Sequence, residues 1–371
     1  MSLVLYRKYR PQSFQRIIGQ EHIVQTLTNS ILNNSIAHAY LFCGPRGSGK
    51  TTIARLFGKA INCPNREKFE PCNKCPSCLE FSAGRAMDLI EIDAASHRGV
   101  EDIRELREGA RFVPVSAKYK VFIIDECHQL SKDATNALLK TLEEPPSHVI
   151  FILATTEMHK MIPTIISRCQ RHDFKRLQVS DIVKKLEYIV DQEGIKIEKP
   201  ALSVIALNAR GSFRDAESLL DECHSFSGKT ALIKAKDVES LLGIIEVGQI
   251  AKFVDLLLSK NTKEALLFIN ALMDGGVDLQ EFAKDLVYYL RQAMISKISP
   301  ELLKPETTGF GQEEILKLKS QSESFSEKGV VQMIEIFIDA ENKLKYSSLP
   351  QLPLELAVLD SILGSFPPKE E

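Results

Sequence analysis

The sequence predicts an α/β fold, a parallel sheet with helices that is followed by helical domains, and three observations predict it. Short runs rich in β-branched residues, AYLFCG (Ala39 to Gly44), VFIIDE (Val121 to Glu126) and VIFILATT (Val149 to Thr156), read as buried parallel strands. The first ends at a glycine-rich loop that leads into a helical stretch, TIARLFGKAI, so strand and helix alternate as in βαβ units. After about Leu177 the strand signals fade and helical periodicity takes over.

In the second half, Ile182, Leu186 and Ile189 share one helical face, and Pro200 opens a helix carrying Leu202, Ile205 and Ala206. SFRDAESLLDECHSF and KDVESLLG complete a small helical bundle that ends near Gly243. Beyond it, Leu279, Phe282, Leu286 and Leu290 form one stripe, and Val330, Met333, Ile334, Phe337 and Ile338 another. The segment from Pro305 to Gln312 reads as a loop, and the final PPKEE as a solvated tail.

The whole-chain properties agree. A length of 371 residues suggests two or three domains, and 44% hydrophobic with 26% charged residues is an ordinary soluble balance. Lys plus Arg (47) against Asp plus Glu (49) gives −2, which neither demands nor excludes nucleic acid, because a local basic surface can hide inside it. There is no apolar run long enough to span a bilayer, and MSLVLYRKYRP lacks the apolar stretch of a secretion signal. A cytoplasmic protein without membrane partners is the expectation, and its eight cysteines then read as thiols or metal ligands.

Gly44-Pro45-Arg46-Gly47-Ser48-Gly49-Lys50-Thr51 has the spacing of a phosphate-binding loop. Glycines let successive N–H groups curl around phosphates where a Cβ would clash, and the following helix aims its positive end at the same anion. Lys50 is placed to reach the β- and γ-phosphates of ATP, and the Thr51 hydroxyl to ligate Mg²⁺. Asp125 and Glu126 end the strand Val121 to Ile124, at the sheet edge where ligands bind. A phosphate-loop ATPase needs one carboxylate near Mg²⁺ and a second to polarise water; Asp125 suits the first and Glu126 the second. Read without the loop, the pair equally suits the first turn of a helix.

Cys63, Cys72, Cys75 and Cys78 crowd into sixteen positions with overlapping C-x-x-C spacings. Four thiolates suit a structural Zn²⁺; a redox pair or an iron–sulfur cluster are the alternatives, although the usual ferredoxin Cys-Pro is missing. The knuckle reads as an insertion beside the core, whose metal could be lost with ATP binding largely retained. Cys43, Cys127, Cys169 and Cys223 are scattered and read as ordinary thiols.

With these motifs placed, the chain resembles the gamma/tau subunits of bacterial DNA polymerase III clamp loaders, which are AAA+ ATPases. The matching strings are YRKYRPQSF, GQEHIVQTL, GPRGSGKTT, the four-Cys insertion, IDAASHRGVEDIRELRE, IIDECHQLS, NALLKTLEEPP, LATTE, SRC and GSFRDAESLLD, spanning about Tyr6 to Asp221. From Gly243 on, the resemblance rests on helical character and PLELAVL. It implies a RecA-like AAA+ core with the zinc knuckle (residues 1–177, knuckle 63–78), a helical lid (178–242) and a helical collar (243–371) that assembles a circular pentamer. It implies as partners delta, delta-prime, further copies of the chain, the sliding clamp, primed DNA and the replicative polymerase. The chain has the length of a gamma form or of a truncated tau form, and would itself polymerise nothing.

Motif by motif, the resemblance assigns Arg10, Pro11, Ile17 and Ile18 to the segment that packs on adenine. The acidic residue common before the two aliphatics is here Arg16. Gly44 to Thr52 hold the phosphates, Thr156, with Thr155, matches sensor 1, and Arg214 matches sensor 2. Arg168 in SRC matches an arginine finger acting on the neighbouring subunit's ATP, so an isolated chain should hydrolyse poorly. Arg98 either tracks template phosphates or sits on a solvated helix face. Two rivals differ in class: an ATP-bound scaffold without hydrolysis, and an AAA+ helicase such as a Holliday-junction motor. The intact Lys50, Thr51, Asp125, Glu126 and Arg168 argue against the first, and the four-Cys insertion with SRC against the second.

Overall fold

The computed structural model describes residues 4–96, 99–228, 231–242, 245–303, 308 and 310–363. Arg98, Gly243, the PPKEE tail and positions 305–307 and 309 of the expected loop lie outside the described residues. The chain divides into two units, Met1–Lys234 and Ala235–Glu371, where the expected collar begins at 243.

The first unit is built on a five-stranded sheet: β1 (Ala39–Cys43), β2 (Leu89–Asp93), β3 (Lys120–Asp125), β4 (Val149–Thr155) and β5 (Gln170–Asp173), in the order β2-β3-β4-β1-β5. Every neighbouring pair is parallel, with Phe42 opposite Ala154 and Ile124 opposite Leu153. This is the parallel sheet the sequence predicts. The helices are α1 (Leu5–Lys8), α2 (Glu21–Leu32), α3 (Lys50–Ile61), α4 (Pro76–Ala83), α5 (Val100–Arg111), α6 (Lys132–Glu143) and α7 (Pro163–Ile166).

Alternation along the central strands explains why they are apolar throughout. Tyr40, Phe42, Ile123 and Ile152 pack against Leu27 of α2 and Phe57 of α3. Leu41, Phe122, Ile124 and Leu153 turn to Leu106 of α5 and Leu138 of α6. Each such side chain contributes about 1.5–3 kcal/mol on burial, so both faces are worth covering. The strand order also sets the site. Because β4 lies between β1 and β3, the ends of these three strands stand side by side at the carboxyl edge, where open sheets bind ligands.

Three further helices complete this unit: α8 (Val179–Glu193), α9 (Lys199–Asn208) and α10 (Phe213–Ser227). They bury Ile182, Leu186 and Ile189 with Leu202, Ile205, Ala216 and Leu220. Ser212 caps α10 by accepting from Asp215 N at 3.2 Å.

The second unit is helical, with elements that include Val247–Leu258, Thr262–Asp274, Leu279–Ile298, Gln312–Ser324, Glu327–Leu344 and Leu352–Leu363. Phe253 packs edge-on against Phe282 (ring centroids 5.1 Å apart) and against Phe337 (6.3 Å). Of the second expected stripe, Val330 and Phe337 are buried while Ile338 is 41% exposed. A buried Gln321 is satisfied on both sides: its amide donates to Ala251 O (2.7 Å) and Asp255 (2.6 Å) and accepts from Tyr289 OH (2.6 Å). No helix among the described residues is long and apolar enough to cross a membrane.

Candidate functional site

The loop between β1 and α3 folds as it does because of its glycines. Gly47 has φ 73°, and a Cβ there would stand 1.8 Å from Ser212 Oγ, so the loop can pass under the start of α10 only without a side chain. Phe213 N donates to Gly47 O across this approach at 3.3 Å. Lys50, the first residue of α3, is buried and donates to the carbonyls of Gly44 (2.7 Å) and Pro45 (2.9 Å). Burial lowers its pKa, and the carboxylates of Glu126 and Asp125 work against that.

Two strand ends meet the loop. Thr51 Oγ1 donates to Asp125 Oδ2 at 2.6 Å, joining α3 to the end of β3. Glu126 follows in a left-handed conformation (φ 47°) and accepts from Thr156 Oγ1 at 2.7 Å and Thr156 N at 3.3 Å, beyond the end of β4. Thr155 is fully buried and lies 3.0 Å from His128 Nδ1.

The loop and the carboxylates at the end of β3 border a cleft of about 440 Å³. Its walls include Arg46, Gly47, Ser48, Gly49, Lys50, Thr51 and Thr52 of the loop, Asp125 and Glu126, and Arg214 of α10. The other wall is the N-terminal segment, with Arg10, Pro11, Arg16, Ile17 and Ile18. Gly44 and Pro45 stand behind Lys50, and Thr156 reaches the cleft through Glu126. Arg168 does not line it: its guanidinium bonds Glu143 Oε1 and the Thr164 carbonyl, each at 2.8 Å.

Several lining residues have no role assigned from the sequence, although all but Lys185 lie within the matching strings. Tyr6, Tyr9, Gln20, Lys185, Phe213 and Glu217 all face the cleft. Gln20 ties the wall to the loop, donating to Lys175 O at 2.8 Å and Ser48 O at 3.4 Å. Tyr9 OH donates to Glu193 at 2.5 Å and Lys185 Nζ to Tyr9 O at 2.9 Å, so the segment is strapped to α8. The Arg214 guanidinium lies 5.0 Å over the Tyr6 ring. Glu217 is buried with Lys185 Nζ 3.9 Å away; burial pushes its carboxyl up to about 7, while Lys185 and Arg10 pull it down.

The four cysteines form a separate cluster in which all sulfurs lie within 4.8 Å of one another. The Cys63 and Cys75 sulfurs are 4.0 Å apart, and those of Cys72 and Cys78 3.9 Å. Tetrahedral zinc with Zn–S of about 2.3 Å sets edges of about 3.8 Å, so the cage fits that ion in size and chemistry. The N–H groups of Cys72, Cys75 and Cys78 point at the sulfurs of Cys63, Cys72 and Cys75, at 3.4, 3.3 and 3.4 Å. Such donors favour thiolate: backbone N–H groups of Lys74 and Cys75 bring Cys72 down to about 6, whereas burial pushes Cys63 and Cys78 up. The remaining thiols, Cys43, Cys127, Cys169 and Cys223, are all raised by burial.

Comparison with known proteins gives three family matches along the chain. Residues 19–178 match the family model "DNA polymerase III, delta subunit", 181–228 match "DNA polymerase III clamp loader subunit, ATPase lid domain", and 233–371 match "DNA polymerase III subunits gamma and tau domain III". The chain is 43% identical to DNA polymerase III subunit tau of Bacillus subtilis over 96% of its own length and 62% of that protein. It is 41% identical to the tau subunit of Escherichia coli over 81% of itself, spanning 46% of that longer chain. With DNA polymerase III subunit gamma of Buchnera aphidicola it shares 36% identity over 96% of its length and 97% of the relative. A phosphate loop, an acidic strand end and a matched lid thus sit in a chain collinear with a full-length relative, and the chain belongs to the gamma/tau subunit family of DNA polymerase III.

Proposed function

We propose that this chain is an ATP-hydrolysing subunit of a DNA polymerase III clamp loader, coupling ATP binding and hydrolysis to opening a sliding clamp and placing it on primed DNA. The observation that carries the reading is the 2.6 Å contact between Thr51 and Asp125 beside Lys50. A hydroxyl and a carboxylate brought together beside such a loop are the two side chains that would hold Mg²⁺ next to a bound nucleotide. Bound there, the ion neutralises charge on the transferring phosphate.

The roles of the chain's own residues follow. The loop from Gly44 to Thr52 cradles the phosphates and Lys50 supplies its cation. Arg10, Pro11, Ile17 and Ile18 face the base, and Arg214 reads the phosphate from α10. Glu126 polarises the attacking water, and Thr156 orients Glu126. Arg168, outside the cleft, serves the site of an adjacent subunit. The cysteines hold one Zn²⁺ as a structural ion. The core, lid and collar take residues 1–177, 178–242 and 243–371, and the collar joins this chain with further copies, delta and delta-prime in a pentamer. Clamp, primed DNA and the replicative polymerase are its partners in the cytoplasm.

The test mixes the purified chain with delta, delta-prime, clamp and primed DNA. MgATP-dependent clamp loading and DNA-stimulated hydrolysis are expected, and Lys50→Ala should abolish both along with most nucleotide affinity. A wild-type mixture that neither loads nor hydrolyses overturns the reading.

A further inference from the structure

The knuckle is less independent of the nucleotide cleft than its sequence suggests. The Glu70 carboxylate accepts from two consecutive backbone N–H groups, Phe14 N and Gln15 N, both at 3.0 Å. Asn73 Nδ2 donates to the Gln12 carbonyl at 3.1 Å. Beneath them, the buried Lys59 of α3 donates to Gln12 Oε1 and to Asn73 Oδ1, each at 2.7 Å. Phe69 meets the buried Phe14 edge-on, with ring centroids 6.3 Å apart.

The geometry places these anchors under the control of the cysteines. Glu70 lies two residues before Cys72, and Asn73 sits between Cys72 and Cys75 in a left-handed conformation (φ 57°). An ion bridging four sulfurs fixes both positions, since it closes the loops that carry them. The segment they grip, residues 12–15, connects Arg10 and Pro11 to Ile17 and Ile18, all of which line the cleft.

We propose that the four-cysteine knuckle positions the base-side wall of the nucleotide cleft, with Glu70 and Asn73 as its positioning residues, so that occupancy of the metal site sets nucleotide affinity. The proposal rests on the reading of the cleft as an ATP site. Without the ion the anchors lose their fixed places, and the wall must be ordered again each time a nucleotide binds, which costs affinity. The phosphate loop, anchored instead by β1, α3 and the Asp125 contact, keeps its hold on phosphate.

The test compares calorimetric binding of MgATP and of inorganic tripolyphosphate, with zinc measured by elemental analysis. Glu70→Ala should keep its zinc and bind MgATP about tenfold more weakly, two charge-assisted hydrogen bonds being lost, while tripolyphosphate changes by less than about twofold. Glu70→Gln, which keeps one acceptor oxygen, should recover part of the loss. Chelator-stripped wild type should show the same selective weakening, restored by Zn²⁺, and stripping Glu70→Ala should add little. Gln12→Ala, outside the knuckle, should weaken MgATP in the same selective way with zinc unchanged. Stripped wild type that binds MgATP as tightly as the zinc-loaded protein overturns the proposal, as does an equal loss for both ligands. Wild type with zinc that binds no MgATP at all overturns instead the nucleotide reading beneath it.

Discussion

Thr156 Oγ1 donates to Glu126 Oε2 across 2.7 Å, so the carboxylate after β3 is held by the residue after β4. The same oxygen accepts from Thr156 N at 3.3 Å and lies 3.5 Å from His128 Nδ1. In a residue with φ 47°, these contacts decide which way the side chain points.

Thr156→Val keeps the shape of this threonine and removes its donor. The MgATP affinity of the chain should stay within about twofold, because Thr156 does not line the cleft and meets it only through its bond to Glu126. The kcat of the assembled loader should fall by about tenfold, less than the 10²–10⁴ a general base itself supplies. Unchanged kcat removes Thr156 from the positioning of Glu126.

The metal prediction is stoichiometric. One Zn²⁺ per chain should be found in protein prepared under reduction, and Cys75→Ser should release it, because three sulfurs leave the tetrahedron open. Iron with visible absorbance, or reduced protein free of metal, rules this out.

Glu217 gives a pH dependence whose sign can be worked out. Its folded carboxyl is raised from the ordinary 4.5 of a glutamate to about 7, chiefly by burial, with Lys185 of α8 and Arg10 of the N-terminal segment facing it. The folded chain therefore holds a proton that the unfolded chain releases between pH 4.5 and 7. This stabilisation is complete below the unfolded value and is lost as pH rises through the folded one. Glu217→Gln should flatten that slope, and its gain in Tm over wild type should be larger at pH 8 than at pH 5, corresponding to no more than about 3 kcal/mol. Equal Tm differences at the two pH values show that Glu217 titrates normally.

What was legible in the sequence follows from where each element lies. β1, β3 and β4 are central and covered on both faces, so each needs an unbroken apolar run and shows one. β2 (LIEID) and β5 (QRHD) are the edges, and in β5 His172 is the buried residue among exposed neighbours, so neither announces itself. The glycine loop and Asp125, which the structure brings together at one cleft, stand out in the sequence by residue type and spacing. Glu217 was not: it sits beside Ala216, Leu220 and Cys223 on a buried helical face, and only packing shows what it meets. The Glu70 anchor joins residues 55 and 56 positions apart, a distance over which periodicity and spacing carry no information.

Arg168 provides the sharpest test of mechanism. Its side chain is held on its own subunit by Glu143 and the Thr164 carbonyl, and it does not line that subunit's cleft. On the proposed reading, in which its guanidinium stabilises charge on transferring phosphate, it acts on another subunit's nucleotide. Arg168→Ala should leave the chain's own MgATP affinity within about twofold, while hydrolysis at the site it serves falls by about 10³ or more. Glu126→Gln should behave differently: ATP binds and the complex assembles, but hydrolysis stalls in the mutant subunit itself, because water activation is lost while Asp125 still faces Thr51. Loaders of controlled subunit order separate the two, Glu126→Gln silencing its own site and Arg168→Ala the adjacent one. If Arg168→Ala instead abolishes MgATP binding by the isolated chain, the arginine acts in its own subunit and the assignment across the interface is wrong.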